Sequence, residues 1–253
     1  MSDTPEQFPN LRQSQTAAIL IIGNEILSGK VADQNAAYLC RELRALGVNV
    51  QRVVVVPDAP EVIAGEVRFC RKFDLVFTTG GVGPTHDDVT MEGVAKGLER
   101  KLVHHPALEK LLARIYPSHL SRVHLKLAEV PDGTELIHAE GLWLPVIRVE
   151  NIYIFPGVPD LLQNKFDAIK ERFKESPFFL KKIFIKGHEE EIASHLNSTL
   201  VAFPHLLLGS YPEWGNPDHD VYLTLESKDP CYLDRAMQFL LGLLPNVSIV
   251  KTE

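Results

Sequence analysis

One stretch concentrates residues suited to phosphate chemistry: Thr78-Thr79-Gly80-Gly81-Val82-Gly83-Pro84-Thr85-His86-Asp87-Asp88-Val89-Thr90-Met91-Glu92. Three glycines let a backbone approach a ligand closely and turn N–H groups toward an anion. A helix expected from Val89 adds the partial positive charge of its N-terminus. Two adjacent carboxylates beside such a cradle repel phosphate on their own. They fit if a divalent cation sits between carboxylate and phosphate, and hard oxygen ligands suit Mg²⁺ or a similar ion. Asp87 or Asp88 alone serves equally well as a helix N-cap; the pair, with three glycines, favours a site. His86 is the histidine of interest, because it lies in this loop.

Two familiar phosphate motifs do not fit. A P-loop needs G-x-x-x-x-G-K-[ST]. Gly23-Asn-Glu-Ile-Leu-Ser-Gly-Lys-Val31 has one residue too many, and Val31 replaces the hydroxyl that would hold Mg²⁺. The dinucleotide fingerprint G-x-G-x-x-G fails at His86 and carries Pro84. The histidines show no H-E-x-x-H spacing, and Cys40, Cys70 and Cys231 form no C-x-x-C pair, so neither a zinc site nor a disulfide framework follows. The expected state of the cysteines is reduced and buried.

The elements around the loop give it a place in a fold. Ala17 to Gly23 is a short apolar run ending in glycine, as in a strand buried on both faces. Gln34 to Leu46 has apolar residues at helical spacing, with Gly47 as its stop. Val48–Val56 reads as a strand, Ala59–Lys72 as a helix, Asp74–Thr79 as a third strand and Val89–Glu99 as a third helix. This alternation predicts an α/β fold, a three-layer and mostly parallel sheet with helices on both faces. Pro106–Tyr116 reads as a helix, Lys126 to Gly133 as a strand and turn, and Leu144–Val149 with Ile152–Phe155 as a hairpin. Pro156-Gly-Val-Pro159 is a sharp turn before a helix over 160–173. Beyond a boundary near Glu175-Ser-Pro177, strands and helices follow in the order β-α-β-β-α-β, a small split-βαβ domain. Residues 1–16 read as a disordered tail, 17–175 as the first domain and 176–253 as the second.

Lys and Arg total 26 and Asp and Glu 33, so the formal charge is 26 − 33 = −7. That balance argues against broad nucleic-acid or anionic-membrane binding. The polar N-terminus has no targeting pattern, and no apolar stretch is long enough to span a bilayer, so the expected location is the cytoplasm.

Gly23-Asn-Glu-Ile-Leu-Ser-Gly29, Asp33-Gln-Asn35 and the Thr79–Thr90 string with Glu92 together resemble the MoaB/MogA molybdopterin-binding fold. They are most similar to its CinA-like branch, which also forms the N-terminal molybdopterin-binding-like domain of FAD synthases. Pro57-Asp58, Lys126 with Pro131-x-Gly133, Phe155-Pro-Gly-Val-Pro159, Gly187-His-Glu189 and Gly209-Ser-Tyr-Pro-Glu-Trp214 extend the resemblance over residues 17 to 250. It implies a metal-dependent nucleotide pyrophosphatase acting on FAD, ADP-ribose or a related dinucleotide and releasing AMP. Molybdopterin binding and a non-catalytic nucleotide-binding module stay open as alternatives. The 253 residues carry no counterpart of CinA's amidase region or of an FAD-synthesising domain, so hydrolysis rather than FAD synthesis is expected.

The implied catalytic set is Asp87, Asp88, Lys126 and Glu92. Asp58, Asp87 and Asp88 are implied as ligands of Mg²⁺, Mn²⁺ or Co²⁺, and Lys126 as the charge that neutralises a leaving phosphate. Gly80, Gly81 and Gly83 are expected to hold a diphosphate by backbone N–H. Gly23, Glu25, Asn35, Thr79, Thr85, Thr90, Pro156, Gly157 and Tyr211 complete the ligand-contacting set. Asn24 stands where many relatives carry Asp. Glu189 and Tyr211 belong to the second domain and are implied to reach the site, in the same or a partner subunit of a homo-oligomer. Trp143 and Trp214 are expected to pack rather than stack on a ligand. The second domain has no G-x-x-G loop and a net negative charge, which argues against RNA binding.

Overall fold

Along the first strand, β1 (Thr16–Ile22), successive side chains enter two different cores. Ala17, Ile19 and Ile21 join one; Ala18, Leu20 and Ile22 join the other. The run is apolar throughout because both its faces are covered. The computed structural model describes residues 14–117, 121–244 and 248–253. These form two units, 14–175 and 176–253. The tail expected over residues 1–16 lies outside the described residues as far as 13, and Thr16 is already the first residue of β1.

After β1 the first unit runs through α1 (Asn24–Leu27), α2 (Asn35–Ala45), β2 (Asn49–Val56), α3 (Pro60–Cys70), β3 (Leu75–Thr79) and α4 (Thr90–Gly97). It continues with β4 (Leu102–His104), α5 (Pro106–Ile115), α6 (Arg122–Lys126), β5 (Glu129–Pro131), β6 (Glu135–Ile137), β7 (Val146–Val149), β8 (Ile152–Phe155) and α7 (Pro159–Asp167), then a 3-10 turn over Lys170–Phe173. The six-stranded sheet has the order β2-β1-β3-β8-β7-β6. Its first four strands are parallel, and β7 and β6 are antiparallel additions. Leu39 and Leu43 of α2 and Leu162 and Phe166 of α7 cover one face. Ile63 and Val67 of α3 and Val94 and Leu98 of α4 cover the other. Each such buried aliphatic side chain contributes about 1.5–3 kcal/mol, so the three layers hold together without staples.

The chain goes from β1 to β2 on one side and then to β3 on the other side of β1. Such a reversal leaves a crevice at the carboxyl ends of the strands it separates, here β1 and β3. Helix α4 packs tightly on α3, because a Cβ on Gly93 or Gly97 would fall only 2.5–2.6 Å from Ile63 or Val67.

Three details depart from the sequence reading. Lys126 ends the helix α6 instead of beginning a strand and turn. β4 and β5 form a separate two-stranded ladder; with three residues each, they are too short to show an alternating pattern. The helix expected over 160–173 stops at Asp167 and resumes as the 3-10 turn.

The second unit contains β9 (Phe179–Lys186), α8 (Glu189–Ala202), β10 (Leu207–Pro212), β11 (Val221–Ser227), α9 (Pro230–Leu243) and β12 (Ser248–Thr252). Its sheet is antiparallel throughout, in the order β10-β11-β9-β12, which is the split-βαβ arrangement. Ile192 of α8 and Leu233 and Leu240 of α9 pack on Ile183, Ile185, Leu223 and Leu225 of one sheet face. Asp229 caps α9 by accepting the N–H groups of Cys231 at 2.8 Å and Tyr232 at 3.0 Å. All three cysteines are free thiols; Cys70 is buried and Cys40 half-buried, but Cys231 is exposed, against expectation. Among the described residues no helix is long and apolar enough to cross a membrane.

Candidate functional site

Four parallel strands end side by side, so the segments after Val56, Ile22, Thr79 and Phe155 share one edge of the sheet. At the centre of that edge, Gly80 continues the β3–β8 ladder by donating its N–H to the Phe155 carbonyl at 3.3 Å. Its amide is therefore not available to a ligand, which corrects the role expected for it. Gly80 has φ +101, and a Cβ there would collide with the Ile22 carbonyl, 3.0 Å from the carbon and closer still to the oxygen. Only glycine lets β1 and β3 come this close at their ends.

A buried polar chain braces the turn. The Asn35 side-chain N–H₂ donates to the Thr79 hydroxyl at 2.9 Å and to the Gly157 carbonyl at 2.7 Å. The Thr79 hydroxyl in turn donates to the Pro156 carbonyl at 2.9 Å. Asn35 opens α2, whose first N–H groups are accepted by the Asp33 carboxylate. Asn35 is 6% exposed, and its Oδ1 is buried with no partner among the described residues. Asn35, Thr79, Pro156 and Gly157 are thus tied to one another where β3 and β8 end. Thr90 has a similar part: its hydroxyl donates to the Gly80 carbonyl at 2.7 Å and its N–H to the Gly81 carbonyl at 3.1 Å.

With the loop anchored at both ends, its middle is left open. The N–H groups of Gly81, Val82 and Gly83 have no protein acceptor among the described residues. Beside them lies a cleft of about 140 Å³. One wall is apolar, made by Val82, Val89, Met91, Leu102 and Leu127; Asp88, Glu92 and Lys126, with His86 and Glu129, supply the polar rim. A negative group seated here would meet free amides and the N-terminus of α4. Leu102 and Leu127 carry no sequence signal of this role, because the short β4 and α6 that place them show no periodicity.

The carboxylates are distributed differently from expectation. Asp88 faces the cleft, but its Oδ2 accepts the Thr85 N–H at 2.7 Å and the Thr85 hydroxyl. The Lys126 ammonium donates to the Thr85 carbonyl and so ties α6 to the loop. Asp87 is exposed, 3.9 Å from the exposed His86. The nearby Thr85 hydroxyl, then its own backbone N–H, hold the Asp87 carboxyl below the usual carboxylate range, with His86 and Lys126 adding to the effect. Asp58 accepts the Asn24 N–H at 2.8 Å. Glu25 folds its carboxylate against Gly23. Among the described residues no three carboxylate, imidazole or thiol groups come together in a way that holds a metal. Asp58, Asp87 and Asp88 therefore do not form the expected ligand trio. The rim does fit a cation that arrives with phosphates and needs only one or two protein carboxylates, the usual habit of Mg²⁺.

Tyr211 belongs to the second unit, where it stacks on Tyr222 with ring centroids 4.9 Å apart. Glu189 opens α8 of the same unit. Trp143 is half-exposed, whereas Trp214 is 95% exposed and so does not pack as expected. Trp214 follows β10 on a turn, Pro212 to Gly215, that projects it into solvent.

Known proteins bear on this geometry. The family model described as "Probable molybdopterin binding domain" matches residues 18–175, and that described as "FAD synthase, middle domain" matches 177–253. A protein of Archaeoglobus fulgidus is 37% identical over 198 residues, covering 78% of this chain and 86% of its own. The "Probable FAD synthase" of Caenorhabditis briggsae is 31% identical over 245 residues, covering 85% of this chain. This chain spans about half the length of that synthase, 47% of it. Among solved structures, CinA from Thermoplasma acidophilum has a TM-score of 0.59 at 30% identity, over 63% of this chain and 98% of its own.

Proposed function

Because this chain belongs to the family of the probable molybdopterin binding domain, followed by an FAD synthase middle domain, we propose that it binds a dinucleotide by its diphosphate and hydrolyses it, releasing AMP. FAD, ADP-ribose or a related dinucleotide is the substrate class. The observation that carries this reading is the row of free N–H groups at Gly81, Val82 and Gly83 facing a cleft rimmed by Asp88, Glu92 and Lys126.

In this reading the Gly81 and Gly83 amides bind non-bridging diphosphate oxygens. The apolar wall holds a ring next to the phosphates. Lys126 leaves the Thr85 carbonyl to meet the charge that develops on the leaving phosphate. Glu92 orients the attacking water and takes its proton as oxygen attacks phosphorus and the anhydride P–O bond breaks. Asp88, with Asp87 beside it, would hold a divalent cation, Mg²⁺, Mn²⁺ or Co²⁺. When bound, that cation neutralises phosphate charge and makes water more acidic. The family description supports a second reading, in which the same cleft binds a pterin without hydrolysis.

The test is AMP formation by the full chain incubated with FAD or ADP-ribose and each of the three cations, alongside Asp88→Ala. AMP from the wild type and none from the variant supports hydrolysis. No AMP with any cation, together with tight pterin binding, selects the second reading. Light scattering on the same samples reads whether the chain forms the homo-oligomer that its resemblance implies.

A further inference from the structure

The cleft beside the glycine loop takes two of its lining residues, Leu102 and Glu129, from the small ladder of β4 and β5. Val130 of β5 is buried in a core with Leu108 and Leu112 of α5. Alternation along the strand then puts its neighbour Glu129 on the other face of the ladder. His104 is the cross-strand partner of Glu129 and shares that face, as does Leu102 two residues before it. The partners touch: His104 Nε2 lies 3.3 Å from Glu129 Oε1. On its other side His104 Nδ1 lies 3.0 Å from Glu109 Oε1 of α5. The imidazole is thus held at both nitrogens and steadies one oxygen of Glu129. Among the described residues the Glu129 carboxylate has no further partner, so its second oxygen is left for whatever enters the cleft.

A carboxylate in a cleft that receives an anionic ligand repels it unless the ligand offers a donor. Glu109, His104 and Glu129 do not form a metal site, since among the described residues no three such groups are placed to hold an ion. Lys126, the lysine of the cleft, donates to the Thr85 carbonyl instead of to Glu129. An ionised carboxylate only accepts hydrogen bonds, so Glu129 suits an uncharged ligand group that donates. In FAD, ADP-ribose and related dinucleotides the donors nearest the diphosphate are sugar hydroxyls. A carboxylate meets ribose hydroxyls in the same way in other dinucleotide sites. The same charge opposes a second phosphate on that ribose.

We infer that Glu129, positioned by His104, accepts hydrogen bonds from the ribose hydroxyls of the bound nucleotide and makes the cleft selective for an unmodified ribose diol. This rests on the proposed function, because it takes the diphosphate to lie on the Gly81–Gly83 amides.

ADP is the probe, because it carries a diphosphate and a single ribose; 2′,3′-dideoxy-ADP lacks both hydroxyls. In calorimetric titrations of the full chain with Mg²⁺ present, ADP is expected to bind about tenfold more tightly, the scale of a hydrogen bond to a charged group. Glu129→Ala should bring ADP down to the dideoxy level and leave dideoxy-ADP unchanged. ADP with an added 2′-phosphate should bind the wild type poorly and gain several-fold in Glu129→Ala. His104→Ala should reduce the preference for ADP several-fold at constant dideoxy-ADP affinity, which a general loss of structure would not do. Equal binding of ADP and dideoxy-ADP by the wild type overturns the inference and leaves the proposed function standing. A preference that survives in Glu129→Ala also overturns it, by assigning the hydroxyls to another group. Loss of both ligands in Glu129→Ala makes the residue structural, with the same consequence. If neither ligand binds the wild type, the diphosphate site itself fails and this inference fails with it.

Discussion

Gly80→Ala is the substitution from which the sheet edge can be read most directly. Two costs add. Alanine at φ +101 lies outside the conformations L-residues favour, at roughly 1–3 kcal/mol. Its Cβ also meets the Ile22 carbonyl group, which is backbone inside a strand and cannot swing aside. Relief requires the ends of β1 and β3 to separate, which disrupts the packing around the fully buried Ile22 and Thr79. Overpacking of this kind adds about 1–3 kcal/mol. The sum is about 4 kcal/mol. With a urea m-value of about 2 kcal/mol/M, the midpoint of unfolding should fall by about 2 M. Gly29→Ala is the control. Gly29 has φ +70, but a Cβ there would meet nothing within 4 Å, so only the backbone cost of about 1 kcal/mol applies. The assay is urea unfolding followed by circular dichroism. If Gly80→Ala unfolds at the same urea concentration as Gly29→Ala, the close approach of the two strands is not what Gly80 provides.

Other perturbations follow from the same geometry. Asn35→Ala leaves the Thr79 hydroxyl and the Gly157 carbonyl without their buried donor, and should cost about 2–3 kcal/mol in the same assay. Thr90→Val removes the bond to the Gly80 carbonyl and should cost about 1–2 kcal/mol, with weaker diphosphate binding by calorimetry. Burial pushes the Lys165 ammonium, which donates to the Leu144 and Pro145 carbonyls, down to about 8. Below that pH the folded state carries a buried charge. Above it the unfolded chain binds more protons, so the contribution of Lys165 to stability should rise from pH 8 toward 10.5, by at most about 3 kcal/mol. Lys165→Met should abolish that rise in unfolding curves taken across the range. Lys126→Ala frees the Thr85 carbonyl and removes the rim's cation, and should lower AMP formation at least tenfold with little change in the unfolding midpoint.

The layers were legible where apolar runs were long. Most of β1 is a continuous apolar run, β3 is short, half apolar and bounded by Asp74 and the glycine loop, and α2 carries its apolar residues at helical spacing up to Gly47, so their types and order could be read directly. The second unit's βαββαβ order was legible for the same reason. The β4–β5 ladder and α6 were not, since three to five residues hold too little periodicity, and with them went Leu102 and Leu127 of the cleft wall. The glycine loop was recognisable by residue type, but residue type does not say which N–H groups are free. Gly80 and Gly81 are neighbours of one kind, yet one amide completes a ladder and the other faces the cleft. The same limit applies to the aspartates: Asp88 meets Thr85 and Asp58 meets Asn24, contacts that depend on loop conformation rather than spacing.

Backbone amide chemical shifts test the central claim most directly. With the full chain labelled with ¹⁵N and titrated with ADP-ribose in the presence of Mg²⁺, the Gly81, Val82 and Gly83 amides should move downfield together as they begin to donate to phosphate, while the ladder-bound Gly80 amide changes little. Saturable binding that leaves those three amides in place, and shifts others instead, would contradict the account.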